Sequence, residues 1–263
     1  MNTNVSGDVP VKATSTRSAG RNVLEQERRF YVIAAVILFL VTVFGFRQFL
    51  MFGKGADGIP ITPQILPLVV THGMALLMWV TLLVVQSLLI VTGRRRIHMT
   101  LGVLGVVLAG AIVLLSAATA ILSARHNPAI YEEFGGARYF LAFALTATVL
   151  FGTMSVAGII YRTKPDVHRP LMLLATVAMM TGPFDRWPFI PWLMEVANGH
   201  VPVFHWGPTL LLGAALLALH TVMVRRLSRW HAVGYASVVA VTAVSCLVAG
   251  SAAWNALATQ LVP

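Results

Sequence analysis

The stretch LVVTHGMALLMWVTLLVVQSLLIVTGRRRIHMTLGVLGVVLA (residues 68–109) consists of two apolar runs with Arg94, Arg95 and Arg96 between them. Neither run contains Asp, Glu, Lys or Arg. About 20 apolar residues cross a bilayer core as a helix, and clustered arginines mark a junction kept on the cytoplasmic side. The stretch therefore reads as a helical hairpin through a membrane. The rest of the chain follows suit: of 263 residues, 57% are hydrophobic and 11% charged, with a mean hydropathy of +0.80. Soluble domains carry about a quarter charged residues, so a free-standing soluble domain is excluded. The net charge of +10 comes from Lys and Arg grouped between apolar segments. It points to the lipid bilayer as partner, and no nucleic acid is expected. With Cys246 as the one cysteine, no disulfide within the chain is possible, and no Cys-x-x-Cys-His exists to attach a c-type haem.

Residues 1–29 are polar and aperiodic, and are expected to form a flexible cytoplasmic arm. A signal peptide is not expected, because the first apolar run starts late and is too long. Seven apolar segments follow, at 30–52, 65–92, 98–123, 139–161, 169–186, 207–224 and 232–256. The expected fold is all-α: a seven-helix transmembrane bundle over residues 30–258. The fifth segment is the short one, free of charge only over 170–184 and followed by Pro183, Pro188 and Pro191. If it crosses, fourteen of the nineteen basic residues share the side of the N-terminus, and Arg47, Lys54, Arg125, Arg138 and Arg186 remain opposite. That bias places the N-terminus in the cytoplasm and the C-terminus outside. The outer loop at 184–206 carries Trp187, Trp192 and Trp206 among prolines, as a headgroup-layer aromatic belt or a ligand lid would.

Between their ends the segments are almost free of acids and bases. Intramembrane charges normally mark ion and proton paths, so a carboxylate pump and a Lys-linked retinal protein are both disfavoured. Gly102, Gly105, Gly110, Gly152, Gly158 and Gly213 are expected to let helices approach closely.

The eight histidines are then the informative residues. His72 and His205 fall near the outer starts of the second and sixth segments, and His126 and His200 in outer loops. His98, His168 and His231 fall at inner starts, and His220 lies inside the sixth segment. A neutral imidazole can ligate a metal through one nitrogen and donate a hydrogen bond from the other. On one helix, His205 and His220 point within roughly 60° of each other, roughly 22 Å apart along the axis. That suits two stacked haem sites: an outer one with metal ligands His72 and His205, and an inner one with His220 and either His98 or His168. The plainer alternative has boundary histidines reaching toward lipid phosphates. Arg47, Asp185 and Arg186, also on the outer side, form a second candidate constellation for an anionic or quinone-like ligand, or a simple surface ion pair.

The quoted hairpin, together with GGARYFLAFALTATVLFGTMSVAGIIYRTKPDVHRPLMLLATVAMMTGPFDRW further on, resembles a family of bacterial multi-span membrane proteins. In that family one span begins His-Arg-x-Leu-Gly and a later one His-Arg-x-x-Met. Residues 68–187 carry the likeness, with Met99 in place of the usual Arg and Pro170 after His168-Arg169 as departures. The family is distantly similar to transmembrane b-type di-haem cytochromes. The resemblance implies a bacterial cytoplasmic-membrane location and haem b on His72, His98, His168 and His205 or His220. Electron transfer is the first functional expectation. The alternatives are a non-catalytic accessory or assembly subunit partnered by other membrane subunits, and a carrier for a small hydrophobic or anionic molecule.

Overall fold

The computed structural model describes residues 11–54, 61–128, 131–132, 135–189, 192, 196 and 201–263. Among these, the regular elements are helices: α1 (Val11–Gly45), α2 (Arg47–Phe52), α3 (Leu66–Val91), α4 (Arg95–His126), α5 (Ala137–Ile160), α6 (Pro165–Ala178), α7 (Thr181–Phe184), α8 (Val201–Val224), α9 (Arg229–Ala249) and α10 (Ala252–Leu261). Six are long and apolar enough to cross a membrane: α1 from Asn22, α3, α4, α5, α8 from His205, and α9. Helix α1 starts at Val11, inside the stretch expected to be an arm, and residues 1–10 of that stretch lie outside the described residues.

The fifth expected segment is not a seventh long helix. It is broken into α6, of 14 residues, and α7, of 4. Helix α6 rises only about 21 Å, short of a hydrocarbon core of about 30 Å. The break has a local cause. Pro183 has no N–H to give, and its ring collides with the carbonyl four residues back, at Met179. The chain answers by tightening: Met179 N–H bonds to Thr176 O at 3.1 Å and Met180 N–H to Val177 O at 2.9 Å.

This broken element is the centre of the molecule. Residues Leu173 to Ala178 are all buried, as expected of a helix apolar around its whole circumference. Helices α5, α9, α1 and α8 surround it. Helix α1 contributes the row Phe30, Ala34, Leu38 and Thr42, buried at four-residue spacing and so on one face. Helix α3 packs on α1 and α4, and its Trp79 indole N–H reaches across to Thr176 Oγ at 3.0 Å, both groups buried. Outward, Val107, Leu114, Leu211, Val222 and Leu247 expose most of their side chains. Apolar surface of that extent is suited to lipid rather than water.

Two expectations about packing change. Gly158 and Gly213 do mark close approaches, since a Cβ there would fall 2.7 Å from Met172 Sδ and from Tyr235 Cε2. Gly110 has nothing within 4 Å, so it permits no approach, whereas Gly45 and Gly234 do. Trp206 is not part of a headgroup belt: it is 2% exposed and packs against Phe143 in the core. Trp192 is exposed, while much of the rest of that loop, Pro191 and His200 included, lies outside the described residues. The last expected segment, 232–256, divides at Gly250 and Ser251, whose hydroxyl caps α10 by accepting from Trp254 N–H at 3.1 Å. Arg125 donates to Leu261 O and Arg138 to Val262 O, so two arginines hold the carbonyl end of α10, where positive charge is favoured.

Candidate functional site

The break between α6 and α7 determines where the Asp185 cluster forms. It turns the chain so that Asp185 and Arg186, just past α7, face inward. Asp185 Oδ2 lies 3.0 Å from His205 Nδ1, with side chains 6% and 2% exposed. The imidazole N–H donates to the carboxylate, which leaves Nε2 as the lone-pair nitrogen, without a partner among the described residues. The ring of His205 stacks on Phe143 at 5.2 Å and meets Phe140 and Trp206 edge-on at 5.3 and 5.2 Å. A carboxylate fixing one imidazole nitrogen while the other stays free is the arrangement found behind metal-bound and proton-accepting histidines.

Arg186 donates to Gly182 O at 2.6 Å and lies over the Phe46 ring at 4.7 Å. From there it acts electrostatically on both His72 and Tyr131. Burial pushes the Tyr131 phenol above its ordinary range, opposed by a Ser123 hydrogen bond and by Arg186. Asp185, Arg186, His72 and His205 therefore share one half of the bundle, the one expected to lie on the outer side. Arg47 does not join them: its guanidinium bonds to Phe44 O in its own turn, at 2.9 Å, and covers the Phe44 ring. His72 and His205 are not brought ring to ring. Helix α3 packs on α1 and α4, whereas α8 packs on α1, α6, α7 and α9, so α1 is the helix they share.

At the opposite end the histidines pair differently from expectation. His220 meets His231, ring centroids 5.7 Å apart, and His98 meets His168 at 6.5 Å. His231 is fully buried rather than reaching for lipid phosphates, and His220 is 1% exposed. None of their four ring nitrogens has a partner among the described residues. Phe30 fills the space beside both rings, at 4.9 and 6.0 Å. The His98 and His168 rings are held from behind. His168 Nδ1–H donates to Gly158 O at 2.8 Å, and the Gln86 main-chain carbonyl is within hydrogen-bonding reach of His98, whose Nδ1 has no partner. His126 bonds only to Leu122 O of its own helix, at 2.9 Å.

The donor chemistry can be weighed against a metal. A bare zinc-like ion wants three or four protein ligands, and no group of three His, Cys, Asp or Glu occurs among the described residues. Pairs of imidazoles suit a metal already held by a tetrapyrrole, which needs only axial ligands. Two imidazoles on opposite sides of one metal, each nitrogen about 2 Å from it, have ring centres about 6 Å apart. The His98–His168 pair matches that spacing: its helices α4 and α6 each pack on α5, and His98 Nδ1 has no partner among the described residues. The His220–His231 pair cannot take a tetrapyrrole, because Phe30 occupies the slot a flat macrocycle needs. Partnership of His220 with His231, and of His98 with His168, could not be read from spacing. The available signal was that all four lie toward the same end of the bundle.

The fold and these sites define an all-helical protein with a lipid-suited exterior and titratable clusters at two levels. Comparison with known protein families, with curated proteins and with solved structures finds no match.

Proposed function

We propose that the chain is a multi-pass protein of the bacterial cytoplasmic membrane that carries haem b and transfers electrons within or across that membrane. One observation supports this above the rest: the His98 and His168 rings meet edge-on with centroids 6.5 Å apart, braced by carbonyls of α3 and α5, and His98 Nδ1 is buried without a partner among the described residues. In this reading His98 and His168 would hold the haem iron. The Gln86 and Gly158 carbonyls would hold their tautomers, and Arg95 and Arg169, both within electrostatic reach of His98, would supply positive charge for the acidic groups that haem carries. The haem, when bound, supplies the one-electron redox couple. His72 and His205 are a weaker outer candidate, since no ring contact joins them.

Protein purified in detergent from cells supplied with haem precursor shows a Soret band, and His98→Ala or His168→Ala abolishes it with the helical circular dichroism unchanged. Absence of the band and of extractable haem overturns the reading. Stoichiometric co-purifying subunits together with that absence favour the accessory-subunit alternative. A ligand retained at Asp185 and Arg186 would favour the carrier.

The topology proposed with it counts the broken α6–α7 element as the fifth of seven crossings. An alkaline phosphatase fused after Pro263 is then active outside, and the same fusion after Arg225 is inactive. The opposite pattern overturns this topology: it follows either from an inverted orientation or from a fifth element that does not cross, and a fusion after Arg94, inactive only with the N-terminus inside, tells the two apart.

A further inference from the structure

Next to these histidine pairs, and sharing Arg169 with the region just described, the end of the bundle where α8 turns into α9 encloses a pocket of about 210 Å³. Its lining includes Glu27, Tyr31, Arg169, Arg226, Arg229 and Trp230, and the first residues of two helices also contribute to it: Pro165 and Asp166 of α6, and Ser228 preceding α9. The N–H groups of a helix start favour an anion. Glu27 is already matched, by Arg169 at 3.2 Å with both side chains largely buried. Arg226 and Arg229 are exposed and have no acidic partner among the described residues, and the Arg229 guanidinium lies 5.6 Å over the Trp230 ring. The turn that presents them is constrained, with Arg225 at φ +55°, a conformation a non-glycine residue adopts only where its surroundings hold it. Behind Tyr31, 6.3 Å from its ring, sits His220, buried, unpartnered and in electrostatic reach of Glu27 and Arg226. Three guanidiniums against two carboxylates leave the pocket net positive, at a helix end where spans meet headgroups.

We propose that this pocket binds a phosphate group, carried by an anionic phospholipid or by a soluble phosphoester. Arg226 and Arg229 donate to its oxygens, Trp230 and Tyr31 pack beside the group that bears it, and the Arg169–Glu27 pair forms the wall. Basic pockets between spans at a membrane face recognise acidic headgroups through this chemistry.

The test uses the full chain in detergent. Native mass spectrometry compares retention of phosphatidylglycerol with that of phosphatidylcholine, and thermal unfolding is followed with and without inorganic phosphate. Wild-type protein retains phosphatidylglycerol preferentially, and R226Q/R229Q weakens that retention on the order of tenfold. R94Q/R96Q, which removes equal charge from a cluster outside the pocket, leaves it intact. Stabilisation by inorganic phosphate without lipid preference, lost in R226Q/R229Q, assigns the pocket to a soluble phosphoester. Equal loss in both double variants, or no loss in R226Q/R229Q by either measurement, overturns the proposal.

Discussion

Replacing Asp185 with alanine lowers the thermal midpoint of the purified protein by on the order of 10 °C, equivalent to about 3–5 kcal/mol. The carboxylate and its His205 partner are 6% and 2% exposed and 3.0 Å apart. Phe140, Phe143 and Trp206 ring the imidazole. Removing the carboxylate strands an imidazole N–H in that aromatic shell, where no water-like dielectric softens the cost. The pair also ties the end of α7 to α8, so its loss loosens the broken element at the centre of the bundle. Asp185→Asn keeps an acceptor for the N–H and costs less. The double variant D185A/H205F recovers part of the loss, because a phenyl ring can stack on Phe143 with nothing polar left over. Circular dichroism melts of the four proteins check this. If D185A melts with the wild type, the pair is not a tie between α7 and α8.

Gly45→Ala is the second large effect. An added Cβ meets Pro183 O at 2.5 Å, its Cα at 2.7 Å and its Cβ at 2.8 Å. These are main-chain and ring atoms, with no rotamer to swing away, so α1 and α7 must part. Overpacking of this kind costs about 1–3 kcal/mol, and the movement reaches Asp185 two residues beyond Pro183. Gly110→Ala provides the contrast. With nothing within 4 Å of its Cβ, it is neutral or gains up to about 1 kcal/mol from helix propensity. Equal melting shifts for the two variants would refute the close approach of α1 to α7.

The helices that face lipid were legible because their determinants are local. Uncharged runs such as 68–93 bounded by Arg94 to Arg96 specify a span by length and transfer energy alone, and α3 and α4 stand where those runs put them. The weakness of the fifth segment was legible too, in Pro183, though not its place in the centre of the bundle. Being the least able to span, it is the element the others enclose. Trp206 shows the limit of reading by composition. A tryptophan near a span end suits the headgroup layer, yet here α8 turns that position inward onto Phe143.

By itself, then, the amino-acid order determined a helical chain with an apolar exterior, a basic end, and histidines as its main unexplained polar content, since hydropathy and charge act residue by residue. Only the packed bundle decided which imidazoles meet. His220 faces His231, His98 faces His168, and His205 faces Asp185 rather than His72. Those partnerships depend on the rotation and neighbour order of whole helices, which close approaches at Gly45 and Gly213 set. Such contacts join positions far apart in the chain, and no local period encodes them.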